Sequence, residues 1–271
     1  MSRSKTADLS TGNAFRISVV IPVYNEQATL GQIIERVREA LAEVPHEIVL
    51  IDDGSTDGSG LLVERIAPFL TSPRSTGERV NVGSTGEQTD WVPDASGMTC
   101  VRVISHASNQ GKGAALRTGF AACRGEIVVV QDADLEYDPR DIPRLTQPIL
   151  DDRADVVIGS RFHGEVQRVH LFWHRVGNAL LTLLSNLMTN LNLSDMECGY
   201  KAFRREVLAS IAIQEDRFGV EPELVAKVAR GGWRVFEVSV SYAGRDYAEG
   251  KKIGFGDALR AVWCVMKYAT R

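Results

Sequence analysis

The chain has 271 residues, 44% hydrophobic and 24% charged, enough to bury one large core but too few for two full domains. A formal net charge of −4 gives no general attraction to polyanions, so nucleic acid is not expected as a partner, and any phosphate or membrane contact must come from local clusters of Lys and Arg. The four cysteines, Cys100, Cys123, Cys198 and Cys264, are far apart and form no Cys-x-x-Cys pair, which disfavours a zinc site or disulfide framework and suits a reducing, cytoplasmic compartment.

Met1 to Asn13 is polar, with no apolar run behind its basic residues, and 1–15 reads as a disordered lead-in to a single domain over 16–271. The apolar run Ile17 to Val23 predicts a strand, and Leu30, Ile33, Ile34, Val37 and Leu41 then recur at helical spacing. Glu47 to Ile51 predicts a second strand, followed by a helix over Leu61 to Leu70 that Thr56 or Asp57 would cap. Residues 71–99 are rich in Ser, Thr, Gly, Pro and Asp, have few large apolar residues, and read as a polar loop insertion. Cys100 to Ile104 is a third strand, Gly113 to Cys123 a helix, Ile127 to Gln131 a fourth strand and Asp155 to Gly159 a fifth. Over 162–271 the chain changes character, with helices at Phe172 to Met188, Glu221 to Ala229 and Asp257 to Tyr268, and a strand at Arg234 to Val240. The longest apolar stretch, Val176 to Leu193, is broken by Asn178, Thr182, Ser185, Asn186 and Asn190, so no spanning helix is expected.

Val- and Ile-rich strands alternating with helices predict an α/β fold of Rossmann-like build, a mostly parallel sheet with helices on both faces. Ligands of such sheets bind beyond the carboxyl ends of the strands, where the strand order reverses. Asn25, Glu26, Asp52, Asp53, Asp132, Asp134, Ser160 and Arg161 all fall at those ends and would rim one crevice. Where the chain bends off the fourth strand, Asp132 and Asp134 can both turn toward one hard cation, with Glu136 adding an oxygen; isolated Asp pairs are as often solvated turns. Asp53 is placed to accept hydrogen bonds from a nucleotide base. Gly111-Lys112-Gly113 at a helix start would bring amides and a cation to phosphate, yet neither Gly-x-x-x-x-Gly-Lys-Ser/Thr nor a Gly-x-Gly-x-x-Gly after the first strand is present. Gly119 reads as a close-packing position. His170 and His174 lack the Glu of His-Glu-x-x-His and read as unliganded. Arg161, Arg175, Arg245, Lys251 and Lys252 supply cations to the second half.

Pro22-Val23-Tyr24-Asn25-Glu26, Asp52-Asp53-Gly54-Ser55-Thr56-Asp57, Asn109-Gln110-Gly111-Lys112-Gly113 and Asp132-Ala133-Asp134, in this order, resemble family 2 glycosyltransferases. Gly159-Ser160-Arg161-Phe162, Asp195-Met196-Glu197-Cys198-Gly199-Tyr200-Lys201 and Arg217-Phe218-Gly219-Val220-Glu221-Pro222-Glu223 are similar to the branch holding dolichyl- and polyprenyl-phosphate mannose and glucose synthases. The resemblance implies a GT-A fold, Mg²⁺ or Mn²⁺, a nucleotide-diphosphate sugar of UDP-glucose or GDP-mannose type, and inverting hexosyl transfer to a polyprenyl phosphate. By motif position it implies that Pro22, Tyr24, Glu26 and Asp53 hold the nucleoside, Asp132 and Asp134 hold the metal, and Arg161 holds an acceptor or donor phosphate; Lys112 is a donor-contact candidate from its own place at the helix start. The 71–99 insertion is longer than the usual connection, and the C-terminal membrane helices of many relatives are lacking, so any membrane contact is expected to be peripheral, at the cytoplasmic face. The last helix could supply it through Leu259, Val262, Trp263 and Met266 with Arg260 and Lys267 beside them, although docking of that face onto the sheet is the ordinary expectation.

A lipid phosphate is already an anion, whereas a hydroxyl must lose its proton as it attacks. A soluble or carbohydrate hydroxyl acceptor would therefore need a base among Asp195, Glu197, Glu221 and Glu223, with Asp195 first; lining the acceptor pocket or pairing with the nearby arginines is an equal reading. A sugar-phosphate nucleotidyltransferase would usually open with a Gly-rich loop after the first strand, and Pro22-Val23-Tyr24 stands in that place. A non-catalytic binding module would not account for so many crevice carboxylates.

Overall fold

Successive side chains of a strand point to opposite faces, so in β1 (Ile17–Val23) Val19, Ile21 and Val23 enter one hydrophobic cluster while Val20 enters another. Burial on both faces explains why the strands read as unbroken Val and Ile runs rather than alternating ones. The computed structural model describes residues 15–62, 99–162, 172–244 and 255–269. Within them lie β2 (His46–Asp52), β3 (Thr99–Ser105), β4 (Ile127–Val130), β5 (Val156–Ser160), β6 (Lys201–Arg204) and β7 (Val235–Ser239). The sheet order is β3-β2-β1-β4-β6-β5-β7, parallel except for β6, which runs against both β4 and β5. The order reverses between β1 and β4, which puts a ligand crevice at their carboxyl ends.

Helices α1 (Leu30–Ala40) and α3 (Ile142–Leu150) bury Leu30, Ile33, Ile34, Val37, Ile142 and Leu145 on one face of the sheet. The other face is covered by α2 (Lys112–Ala122), α5 (Arg205–Ala209) and α6 (Val220–Arg230), through Leu116, Val207, Leu224 and Val228. Helices α4 (Phe172–Thr189) and α7 (Phe255–Ala269) complete that layer. Gly119 is a packing glycine, as expected: a Cβ there would stand 2.4 Å from Val20 Cγ1. The four cysteines are free and buried.

The structure departs from the sequence reading at several points. Helix α3 leaves no clean periodic signal, because Pro143 and Pro148 read as breakers. Pro143 sits in the first turn, where its missing N–H would be unpaired anyway, and Asp138 caps the 3₁₀ turn Pro139–Asp141 that leads in. Thr99 opens β3 rather than closing the insertion, and 71–98 lies outside the described residues. Phe15 is buried rather than part of a loose lead-in, and 1–14 lies outside the described residues. Of the helix expected over 61–70, only 61 and 62 are described, within the helical turn 59–62. Helix α7 docks through Ala261, Cys264, Val265 and Tyr268, so the expectation that its Leu259, Trp263 and Met266 face packs inward is corrected: those three are exposed. Among the described residues no helix is long and apolar enough to cross a membrane.

Candidate active site

At the carboxyl ends of β1 and β2 two loops are stitched together by turn residues. Asn25 N–H donates to Ser55 Oγ (3.1 Å), Thr56 N–H to Asn25 Oδ1 (2.8 Å), Glu26 N–H to Ser59 Oγ (2.9 Å) and Gln27 N–H to Asp57 Oδ2 (3.1 Å). Asn25 holds a left-handed φ of 54°, which Asn tolerates better than most residues. Asp57, not Thr56, caps the 59–62 turn by accepting the Ser59 N–H at 2.9 Å. Asp53 is 3% exposed and accepts from Gln110 N–H (3.0 Å) and Gly111 N–H (2.7 Å), with the His106 ring 2.7 Å away. In this arrangement it ties the loop before α2 to the end of β2. Pro22 lies in β1, and Tyr24 and Glu26 follow on the loop, with Glu26 Oε2 accepting from Thr29 Oγ1 at 3.0 Å.

Beyond β4 the chain bends through Leu135, a left-handed residue with φ 62° between Asp134 and Glu136. Asp134 Oδ1 accepts the Glu136 N–H at 3.1 Å, and Glu136 Oε2 accepts from Tyr242 Oη at 2.7 Å. Asp132 turns toward α2, where Lys112 Nζ lies 2.8 Å from Oδ1 and 3.0 Å from Oδ2. Lys112 also stands 3.1 Å from Glu221 Oε1, and Glu221 is in turn paired with the buried Lys201. Burial disfavours the Lys112 ammonium, but Asp132 and Glu221 outweigh it and hold its pKa well above the ordinary range. Burial likewise opposes the Glu221 carboxylate, and Lys201 and Lys112 together pull its pKa below the ordinary value. Gly199 presses on this cluster: a Cβ there would come within 2.5 Å of Asp132 Oδ2.

Arg161, at the end of β5, makes a bidentate pair with Asp195 (Nε–Oδ2 2.6 Å, Nη2–Oδ1 2.7 Å) and donates to Asn178 Oδ1 of α4 at 3.1 Å. Its guanidinium lies 5.2 Å from the Tyr242 ring centroid. Asp195 is fully buried, with the Asn178 amide at 3.1 Å as a further donor and its backbone N–H held by Glu237 at 3.2 Å. Its geometry is that of a group holding Arg161 in place, and the expectation of Asp195 as the leading base is met by no accessible lone pair here. Glu221 is occupied by lysines, and Glu223 accepts the amides of Gln214 (2.7 Å) and Glu215 (2.8 Å). Glu197 differs, because its Oε1 is buried without a hydrogen-bond partner. Burial first, and the neighbouring Glu221 second, push its carboxyl up to about 7, against the pull of Lys201 and Arg161.

The structure thus gathers Asp132, Lys112, Glu221, Lys201, Arg161, Asp195 and Glu197 around the carboxyl ends of β4 and β5. His170, Arg245, Lys251 and Lys252 lie outside the described residues, and His174 lies on α4. Among the described residues no three His, Cys, Asp or Glu side chains converge into a metal cage. Asp132 and Asp134 are nevertheless hard oxygen donors, which suits a small divalent cation whose shell is completed by substrate phosphates rather than by protein alone. A carboxylate has about four lone-pair sites, so Asp132 can share itself between Lys112 and a cation. Sequence reasoning passes over Lys201, Asn178 and Glu237. Lys201 alone leaves a signal, a lysine opening a short strand whose next two residues are apolar.

The sequence profile of glycosyl transferase family 2 matches residues 18–212. The undecaprenyl-phosphate 4-deoxy-4-formamido-L-arabinose transferase of Pseudomonas syringae pv. syringae is 31% identical over 237 residues, 87% of this chain and 60% of that protein. The dodecaprenyl-phosphate galacturonate synthase of Rhizobium johnstonii is 26% identical over 251 residues, 92% of this chain and 65% of that protein. The chain therefore spans about two thirds or less of the length of these relatives. Glucosyl-3-phosphoglycerate synthase from Mycobacterium tuberculosis, solved with Mn²⁺, uridine diphosphate and phosphoglyceric acid, superposes with a TM-score of 0.65 at 22% identity, over 94% of this chain and 79% of that one. That likeness establishes the GT-A fold, and with the profile covering most of the sheet and every motif at its carboxyl ends, the chain belongs to glycosyl transferase family 2.

Proposed function

We propose that the protein transfers a hexose from a UDP-glucose- or GDP-mannose-type donor to a polyprenyl phosphate, with inversion and with the help of a divalent cation. The observation that carries this reading is the Lys112–Asp132 pair at the start of α2, which sets a part-buried cation and a carboxylate together at the point where the sheet order reverses. Arg161, fixed by Asp195 and Asn178, supplies a second cation of defined direction on the β5 side, suited to a phosphate monoester. An acceptor phosphate oxygen attacks the anomeric carbon, the bond from that carbon to the nucleoside diphosphate breaks, and the diphosphate leaves with the electron pair. No proton has to move, which fits a site whose carboxylates are mostly held by cations. A Mg²⁺ or Mn²⁺ held by Asp132 and Asp134, with Glu136 beside them, would supply Lewis-acid stabilisation of the departing diphosphate. The names of the relatives support the polyprenyl-phosphate class, and the Mn²⁺ and uridine diphosphate bound by the mycobacterial synthase support the donor class. Free buried cysteines suit work on the cytoplasmic side.

The test is a thermal-shift screen of UDP- and GDP-sugars, including formamido-arabinose and galacturonate donors, with and without Mn²⁺, followed by turnover with a short-chain polyprenyl phosphate. A nucleotide- and Mn²⁺-dependent rise in Tm that Asp134→Ala abolishes is the expected result. No shift with any UDP or GDP ligand overturns the reading.

One observation favours a second reading, a hydroxyl acceptor. Glu197 has an unpaired oxygen and a pKa near neutrality, the range of a general base. Loss of turnover in Glu197→Gln with the donor-induced shift intact would select it; unchanged turnover would select the phosphate acceptor.

A further inference from the structure

The first turn of α2, which carries Lys112, is held from outside by the segment 214–217. The Asp216 carbonyl accepts the Ala114 N–H at 3.1 Å, one of the first-turn donors that a helix leaves without an internal partner. Arg117 of α2 donates to the Ile213 carbonyl at 3.3 Å and to Asp216 Oδ1 at 2.8 Å. The approach is close enough to account for both glycines that flank Lys112: a Cβ at Gly111 would collide with the Asp216 carbonyl oxygen, and one at Gly113 with that of Glu215. The Glu215 side chain, 4% exposed, reaches α7 instead. Its Oε2 accepts from Arg260 Nη2 (2.7 Å) and Nε (3.1 Å), and its Oε1 from Tyr268 Oη (2.7 Å) and Lys267 Nζ (3.1 Å). Charge-assisted bonds of this kind are among the stronger ones, and two cations share the one carboxylate. Helix α7 also rests on the turn into α6, where a Cβ at Gly219 would stand 2.7 Å from Cys264 Sγ and 2.9 Å from Glu215 Oε2. Two residues further on, Glu221 meets Lys112.

We infer that Glu215 is a positioning residue for the donor: its backbone bears on the first turn of α2 while its carboxylate clasps α7, so the docking of α7 fixes where Lys112 meets the diphosphate. The inference rests on the reading of Lys112 as a donor contact and adds to it a link that starts outside the crevice. When Arg260 or Lys267 lets go of Glu215, the segment 214–217 loses its outer anchor. The amide bonds to Glu223 still hold Gln214 and Glu215 from the α6 side, so the chain stays folded while the cap on α2 loosens.

The test uses the full chain and needs no acceptor. Dissociation constants for UDP and for GDP, each with Mn²⁺, are measured for wild type, Glu215→Gln and Arg260→Gln, together with hydrogen exchange of the 111–116 amides in the absence of nucleotide. Both variants should raise the constant of the nucleotide that wild type binds, Glu215→Gln by about fivefold or more, and speed exchange at 111–116. The double variant should be no worse than Glu215→Gln alone, because the two side chains act as one unit. Val265→Ala, a buried α7 position outside the clasp, is the control: it should lower Tm without moving the dissociation constant. If Glu215→Gln and Arg260→Gln behave like that control, with Tm lowered but affinity and exchange unchanged, Glu215 is a purely structural clasp and the inference is overturned. Wild-type protein that binds neither nucleotide sinks the donor reading and the positioning role with it, a result that the wild-type titration alone distinguishes from the first.

Discussion

The two rims of the crevice satisfy their carboxylates in opposite ways. On the β1–β2 side Asp53 and Asp57 are met mainly by backbone amides and hydroxyls, with the His106 ring beside Asp53, while on the β4–β5 side Asp132, Glu221 and Asp195 face Lys112, Lys201 and Arg161. Neutral donors fix a loop without adding charge, so that rim can remain rigid whatever binds. The cationic rim is different in kind, because each ion pair holds a positive charge that an incoming phosphate can share. One rim is built for shape and the other for charge.

The largest effect should come from the cationic rim. Lys201 is 1% exposed and pairs with Glu221 while donating to the Met196 and Cys198 carbonyls. Lys201→Met leaves Glu221 with only Lys112 and should cost about 3–5 kcal/mol in urea unfolding, since removing one partner strands a buried charge. Lys201→Met with Glu221→Leu should recover most of it. If the double variant is no better than the single, the pair is not the source of the cost.

Asp53→Asn should cost less, about 1–3 kcal/mol, by turning an amide donor toward the N–H of Gln110 or Gly111. Gly199→Ala should follow in size. Its Cβ, 2.5 Å from Asp132 Oδ2 and 3.4 Å from Lys112 Nζ, would push the Lys112–Asp132 pair out of register. The expected outcome is a modest fall in Tm with a marked loss of the nucleotide-induced shift. A retained shift would mean that the pair is not where the donor binds.

The same contrast governs what is legible in the sequence. The neutral rim is made by short-range turn chemistry, Asn25, Ser55, Asp57 and Gly54, and such residues announce themselves at the ends of apolar runs. Strand positions and the row of crevice residues follow from periodicity for the same reason. The cationic rim depends on pairings between residues far apart, Lys112 with Asp132 and Glu221, or Arg161 with Asp195, and a charged residue carries no local mark of its partner. The sequence alone leaves Asp195 open between a base, a pocket-lining acid and a partner of nearby arginines, and only the fold fixes Arg161 as its partner. The outward face of α7 is illegible for a related reason: both of its sides are apolar, and only the packing of Ala261, Cys264 and Tyr268 decides which one is covered.

The effect most specific in sign belongs to Glu197. Its carboxyl sits at about 7 in the folded protein against an ordinary value of 4.5. Below 4.5 it is protonated in both states and contributes nothing. As pH rises from 4.5 toward 7 the unfolded chain ionises first, the folded state holds the extra proton, and stability falls; above 7 a constant penalty remains, roughly 3 kcal/mol at most. Glu197→Gln removes that penalty, so relative to wild type it should gain stability between pH 5 and pH 8 and be nearly neutral near pH 4.5. Glu215 runs the other way: burial opposes its charge, but hydrogen bonds from Tyr268, Arg260 and Lys267 outweigh that and hold it at about 2, so its contribution is complete above 4.5 and is lost as pH falls toward 2. Urea unfolding across this pH range should give a variant-minus-wild-type stability that rises with pH for Glu197→Gln and stays flat above pH 5 for Glu215→Gln, the mark of one unpaired carboxyl among paired ones. A flat profile for both would mean that Glu197 has found a cation of its own.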